Sequence, residues 1–264
     1  MTERLIALDL DGTTLTHAGE LRPAVRQAVR DVAEAGVHIV VATGRSLVAT
    51  MPVLCELGLM TGYAVCSNGA VTLALDPDEP QGYQILETVT FDPAPALALL
   101  RDSWPDAVIA VEELGVGFKL SGPFPDGELD GELRVVPWEE LVADPVTRVT
   151  FRSPTGTSEE FEQLAERIGL HEVNYSIGFT AWMDINPEGV SKGAALETLR
   201  RRLGVEPMFT VAVGDQRNDL EMLQWAARGV AMGNAPAEVK AVAHEVTGHV
   251  DEDGLVPVLR SLLA

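Results

Sequence analysis

The chain repeats one pattern: a short run of apolar residues that stops abruptly in small or polar ones. Leu5 to Leu8 gives way to Asp9 and Asp11, and Val37 to Ala42 gives way to Thr43, Gly44 and Arg45. Tyr63 to Cys66 ends in Ser67, Asn68 and Gly69, and Phe209 to Val213 ends in Gly214, Asp215, Asn218 and Asp219. Apolar runs without polar alternation are what strands buried on both faces require, and such strands belong to parallel sheets. Helical spacing lies between them. Leu21 to Ala35 carries Val25, Val29, Val32 and Ala33 on one face and stops at Gly36; a second helical stretch runs through Leu57; a third starts at about Ser191 and runs through Leu203. The alternation predicts an α/β class with βαβ units, right-handed by expectation, and a parallel sheet covered by helices on both faces.

Beyond Leu75 the texture changes. The turn-rich stretch DPDEPQG is followed, from about Gln84 to Asp184, by short alternating strands (ILETVTF, DAVIAVEE, VGFKLSG) and helical pieces such as SEEFEQLAERIGL. We read this as an inserted α+β domain over residues 83–185, closed by a strand from Tyr175 to Ile185, with 1–82 and 186–264 forming the core. After Pro187 and Gly189 the strand-and-helix alternation resumes. VAMGNAPAEVKAVA repeats strand, glycine turn and helix, and HEVTGHVDEDGLVPVLRSLL ends in a short strand, an acidic loop and a helix.

Charge narrows the partners. Lys and Arg total 19 against 40 Asp and Glu in 264 residues, a net charge of -21, which repels a polyphosphate backbone and excludes nucleic acid as a large, groove-bound partner. The same field opposes small anions, so a phosphate site would need local positive charge from metal, lysine or helix ends. Cys55 and Cys66 lie in apolar sequence without metal-ligand spacing and read as two buried thiols. The opening MTERLIALDLDG is too short for a signal peptide, and no apolar stretch is long enough to span a membrane. The expectation is a soluble protein of a reducing cytoplasm, with no membrane partner and an oligomeric state that sequence leaves open, a monomer included.

The polar strand ends carry the chemistry. Open α/β sheets place ligands at the carboxyl ends of their strands, and there the chain supplies Asp9 and Asp11, Thr43 with Gly44, Lys192, and Asp215 with Asn218 and Asp219. At an effective dielectric of about 20 and a separation of ~4 Å, two carboxylates repel by roughly 4 kcal/mol, so a shared proton or a cation is expected. Mg2+ is the simplest such cation, and phosphate is its usual companion. Lys192 is out of place for helix stability, because positive charge at a helix N-terminus opposes the dipole; it suits an anion instead. Taken singly, each residue has a plainer use: acids that cap turns or start helices, and a turn hydroxyl. Independent turns have no reason to present the whole set in this order.

In that order the set resembles the haloacid dehalogenase superfamily of phosphohydrolases, and within it the Cof-type branch with a large α/β cap. Its four motifs are matched by DLDGT (Asp9 to Thr13), TGR with Thr43, GVSKGAAL with Lys192, and GDQRND (Asp215 to Asp219). SNGA and VTGHVDEDGL resemble further phrases of the branch. The resemblance covers nearly the whole chain and implies a Rossmann-like core whose inserted cap sets substrate specificity. It implies Mg2+-dependent hydrolysis of a small phosphomonoester, a sugar phosphate or related metabolite, through an aspartyl phosphate on Asp9. Asp11 would be acid and then base, and Thr43, Gly44, Lys192 and Asn218 would bind the phosphoryl group, Asn218 contacting either that group or Lys192. The Asp9 carboxylate, the Asp11 main-chain carbonyl and Asp215 would hold Mg2+, with Asp219 steadying its waters.

Other residues read as structural. Arg45 suits either an approach to the site or a surface or cap salt bridge, Asn68 either a place beside the cleft or hydrogen bonding between loops, and His17, His244 and His249 solvent or satisfied structural roles. Phe179 and Trp182 read as core, the DEDG run at Asp251 as a solvated turn, and Arg152, His171 or Tyr175 as candidates for substrate selection. Two rival functions share the pattern: a phosphosugar mutase, and a catalytically silent binding or regulatory protein. A dehalogenase has no need of Asp11.

Overall fold

The computed structural model describes residues 3–153, 173–177 (backbone alone) and 182–263, and the chain divides into two compact units. One comprises Met1–Gly44, Pro52–Glu87 and Ser191–Ala264; the other comprises Arg45–Met51 and Thr88–Val190. The strands, in chain order, are β1 (Leu5–Leu8), β2 (His38–Ala42), β3 (Gly62–Cys66), β4 (Val71–Leu75), β5 (Tyr83–Thr88), β6 (Val108–Glu113) and β7 (Gly117–Leu120). There follow β8 (Glu132–Val135), β9 (Val149–Arg152), β10 (Val173–Ile177), β11 (Trp182–Pro187), β12 (Thr210–Gly214), β13 (Arg228–Ala231) and β14 (Glu245–Val246).

The first unit is built on the sheet β14-β13-β12-β1-β2-β3-β4-β5. β1 runs parallel to β12 on one side and to β2 on the other, with Leu8 level with Val213 and with Val41. All four of its residues are fully buried, which accounts for the unbroken apolar run. Leu5 and Ala7 pack with Val40, Ala42 and Ala212 against Leu196 and Leu199 of the helix Lys192–Arg202 and against Met222 and Leu223. Burying one such leucine is worth about 1.5–3 kcal/mol, so strand and helix hold each other in place. The helix Pro23–Glu34 buries Val25, Ala28, Val29 and Val32; Ala33 is exposed, one step of helical rotation beyond the buried stripe.

The sheet is parallel from β14 to β3, and then the chain doubles back. Ser67, Asn68 and Gly69 all take positive φ (50°, 57° and 112°), and β4 returns antiparallel to β3, with Cys66 opposite Val71. β5, which falls within 83–185, hydrogen-bonds to the edge of this sheet. Cys66 is buried, whereas Cys55 is exposed: it sits on the outer side of the helix Leu47–Leu57, so the reading of two buried thiols fails for one.

The second unit carries the sheet β10-β11-β9-β6-β7-β8, antiparallel except for the β7–β8 pair. Leu97 and Leu100 of the helix Ala94–Ser103 pack on Ile109, Val111, Val149, Phe151, Met183 and Ile185, which share one face of the strands. Thr150 and Asp184, on the alternate positions, hydrogen-bond at 2.7 Å. The single closing strand expected over Tyr175 to Ile185 is instead two strands, β10 and β11, paired antiparallel with Ile177 opposite Met183. An isolated glycine, Gly178, inside a β-forming run reads as a bulge as readily as a reversal. The helix expected over 158–170, His171 and Phe179 lie outside the described residues. Trp182 is half-buried, donating from Nε1 to Asp184 at 3.1 Å and meeting Phe124 edge-on.

Gly69 backs onto the start of the Lys192 helix: a Cβ there would lie 2.4 Å from the Ser191 carbonyl oxygen. Gly69→Ala combines that clash with an unfavourable φ and should cost roughly 2–4 kcal/mol of stability. Urea denaturation checks this, and an unchanged midpoint would contradict the packing.

Candidate functional site

The site is assembled where the strands of the first unit stop. β1 ends at Leu8, and Asp9 follows with its amide donating to the Val213 carbonyl at 3.0 Å, so the acid is held level with the end of β12. Asp215 comes just past the end of β12. The turn Arg217–Asp219 then brings Asp219 back, and its Oδ2 accepts from the amides of Asp215 and Gln216, both at 2.9 Å. Ser191 caps the helix Lys192–Arg202, its side chain accepting from the Ala194 amide, and the cap leaves Lys192 at the first helical position. From there Lys192 Nζ donates to Asp9 Oδ1 at 2.6 Å and to Asp219 Oδ1 at 2.7 Å, with no exposed surface.

Asp9, Asp215 and Asp219 are all buried and each offers a carboxylate oxygen within 4.8 Å of the others. Three carboxylates thus face one ammonium. Burial raises the Asp9 carboxyl well above the ordinary range, and the charge of Asp219 raises it further against the opposing pull of Lys192. Burial also pushes Asp215 up to about 7, again with help from Asp219. Burial is the largest effect on Lys192 as well and opposes its charge, but the Asp219 and Asp9 carboxylates together outweigh it and raise its pKa.

The remaining expected residues divide. Thr43 and Gly44 follow the end of β2, beside β1; Thr43 is buried, and its carbonyl accepts from the Asn68 amide at 3.0 Å. Asn218 Nδ2 donates to Asn68 Oδ1 at 3.0 Å, and a Cβ on Gly44 would come within 2.9 Å of that same oxygen. Asn218 therefore packs on the Asn68 turn, while Lys192 goes to the two aspartates. Asn68 has the loop-to-loop hydrogen bonding expected of it. Asp11 is exposed, and its carboxylate stands outside the three-carboxylate cluster. His244 Nδ1 accepts from the Gly229 amide and His249 Nδ1 from the Asp251 amide, both structural uses. Arg152 pairs with Glu128.

The model of the haloacid dehalogenase-like hydrolase family matches residues 6–101 and 133–259, most of the chain, with Asp9, Asp11, Thr43, Lys192, Asp215 and Asp219 among them. The chain belongs to the haloacid dehalogenase-like hydrolases. Among curated relatives, the HMP-PP phosphatase of Serratia proteamaculans (strain 568) is 28% identical over 273 residues, spanning 98% of this chain and 95% of that protein. The pyridoxal phosphate phosphatase YbhA of Escherichia coli (strain K12) is 31% identical over 290 residues, spanning 100% of both chains. Among solved structures, a haloacid dehalogenase-like hydrolase from B. subtilis aligns with a TM-score of 0.82 at 25% identity, over 97% of this chain and 99% of that one. The named relatives are phosphatases, and hydrolases of this family generally use a divalent metal ion.

The donor set of this family member fits such an ion. The cluster offers only carboxylate oxygens, which suit a hard cation, and its negative charge exceeds what Lys192 neutralises. Besides Thr13, whose Oγ1 donates to Asp215 Oδ1 at 3.0 Å, two residues in the site were not expected from sequence. Gln216 Nε2 donates to Asp215 Oδ2 at 3.1 Å, and Asn234 Nδ2 donates to the same oxygen at 3.0 Å and to the Gly12 carbonyl at 2.8 Å. Asn234 lies in the glycine turn after β13, another polar strand end, and that position was the signal available for it.

The Asp215 carboxyl binds its proton more tightly in the folded than in the unfolded chain, so its contribution to stability falls as pH rises from about 4 to about 7. A divalent ion competes for the ionised form. The increase in Tm produced by adding Mg2+ to chelator-treated protein should therefore grow as pH rises through about 7. Thermal melts at acidic and alkaline pH check this, and an equal increment at both would contradict it.

Proposed function

We propose that the chain is a Mg2+-dependent phosphatase of small phosphomonoesters, sugar phosphates or related metabolites, acting through an aspartyl phosphate on Asp9. The observation that carries this reading is the single buried ammonium of Lys192 held between Asp9 and Asp219, with Asp215 alongside. Asp9 presents one oxygen to Lys192, and no described residue donates to its Oδ2, which is the oxygen available to attack phosphorus. Lys192 uses two of the three hydrogens of its ammonium on carboxylates, and the third remains for a phosphoryl oxygen.

In the first half-reaction Asp9 Oδ2 forms a bond to phosphorus as the bond to the alcohol oxygen breaks, and Asp11 gives that oxygen its proton. In the second, water attacks phosphorus, Asp11 takes a proton from it, and the Asp9–phosphorus bond breaks to release phosphate. The exposure of Asp11 suits a group that must meet both a departing alcohol and an incoming water. Lys192 offsets charge on Asp9 and on the phosphoryl oxygens throughout, and Thr43 with the Gly44 amide would bind those oxygens. The Asp9 carboxylate, the Asp11 carbonyl and Asp215 would hold the cation, which when bound supplies electrostatic stabilisation of the phosphoryl oxygens. Asp219, with one oxygen on Lys192 and the other on two amides, positions the lysine and the Asp215 loop. We assign the inserted unit to substrate selection and the protein to the cytoplasm.

A phosphate-release screen over phosphorylated metabolites, with Mg2+ and with chelator, tests the reading; an isomeric phosphosugar accumulating in place of phosphate would show a mutase, and silence across the panel a binding protein. Asp9→Asn should lower turnover by at least about 10^3-fold while leaving the fold intact by circular dichroism. Substantial residual phosphate release would contradict the nucleophile.

A further inference from the structure

The donors around Asp215 are shared unequally between its two oxygens. Oδ1 accepts from Thr13 Oγ1 at 3.0 Å, whereas Oδ2 accepts from both Gln216 Nε2 and Asn234 Nδ2. An ionised carboxylate has about four lone-pair sites, two on each oxygen. With the described donors in place, Oδ2 is full and the one open site is on Oδ1.

Asn234 is fixed in this role from three sides. Its Nδ2 also donates to the Gly12 carbonyl, its Oδ1 accepts from the Val250 amide at 3.0 Å, and its turn is closed by the Gly233 amide donating to the Gly248 carbonyl at 2.8 Å. Lys240 Nζ holds the Gly233 carbonyl at 2.6 Å. The amide thus joins the loop after β1, the acid after β12 and the loop after β14, and it has no alternative rotamer that keeps all three bonds.

We propose that Asn234 sets the cation selectivity of the site: by filling the second lone pair of Oδ2 it confines Asp215 to ligation through one oxygen. That mode suits Mg2+, which requires a near-octahedral shell of single-oxygen ligands at about 2.0–2.1 Å. It denies the two-oxygen grip that Ca2+, with six to eight ligands at about 2.3–2.6 Å, accepts readily. The inference rests on Asp215 being a metal ligand. Asn234 itself touches the ligand and is a positioning residue.

The test is a thermal-shift titration of the full chain with Mg2+ and, separately, with Ca2+. In Asn234→Ala the half-saturating Mg2+ concentration should rise about 10-fold while that for Ca2+ holds or falls, so that the preference narrows by about 10-fold or more. Asn234→Ser is the milder removal should the alanine variant fail to fold. Thr247→Val deletes the Thr247 hydroxyl's bond to the Gly254 carbonyl in the same C-terminal loop without touching Asp215, and should lower Tm while leaving both half-points in place. If the Asn234 variants keep the wild-type ratio, or move both ions by the same factor as a general loosening would, the inference is overturned while the metal reading stands. If the wild type responds to neither ion, or Asp215→Asn titrates like wild type, the metal reading falls and takes the inference with it.

Discussion

One ammonium group among three buried carboxylates governs the carboxyl edge of the larger sheet. Burying an unpaired charge costs several kcal/mol, so Asp9 and Asp219 are tolerable in the interior only because Lys192 lies between them at 2.6 and 2.7 Å. The dependence runs both ways. The helix N-terminus repels a lysine, and the position is stable because the two aspartates offset both that repulsion and the loss of water. Asp219 has both oxygens engaged, by the lysine and by two backbone amides, and so serves as the fixed half of the clamp. Asp9 is engaged through one oxygen, and Asp215 is held by neutral donors. The charge left uncompensated therefore sits on the two acids with lone pairs to spare.

Such a cluster needs loops that approach one another more closely than side chains allow. A Cβ on Gly12 would lie 2.3 Å from Asp215 Oδ2, and one on Gly214 would lie 2.5 Å from Asp219 Cγ. At Gly12 the backbone after β1 fills the space beside a carboxylate that follows β12, and at Gly214 the end of β12 meets a carboxylate returned by its own turn, so glycine is required by contact at both and by positive φ at Gly12 as well. The parallel register makes the approach possible. β1 lies between β2 and β12 with Leu8 level with Val41 and Val213, and the next residues of all three strands emerge at the same height.

What could be read from the sequence follows from which forces are local in it. The apolar runs before Asp9, Thr43 and Asp215 are strands because a strand buried on both faces must be apolar throughout, and Lys192 stood out because it breaks a rule of helix charge. The reversal between β10 and β11 is hard to read because its one turn former, the isolated Gly178, sits inside a β-forming run. β5 reads as part of the insertion because turn-rich sequence precedes it, yet that stretch is only the loop that leads β5 back to pair with β4, the strand just before it. Cys55 reads as buried in an apolar stretch, but the phase of its helix turns it outward. Asn234 and Gln216 do not stand out because a polar strand end alone does not say which of its neutral amides will meet a carboxylate. Their roles arise only when a carboxylate from another loop is placed against them.

The electrostatics of the whole chain and of the site point the same way. With acids outnumbering bases 40 to 19, the surface field opposes a phosphoryl dianion, and the metal-free cluster opposes it again at short range. At an effective dielectric of about 20, each uncompensated carboxylate about 5 Å away costs roughly 3 kcal/mol per unit charge on the anion, more than the remaining hydrogen of Lys192 can offset. In the phosphatase reading, cation and phosphoester therefore favour each other's binding by the same coupling free energy, whichever arrives first. On that reading an acidic site in an acidic protein takes the two together more readily than either alone, with protons on the raised carboxyls as the competitor for the cation.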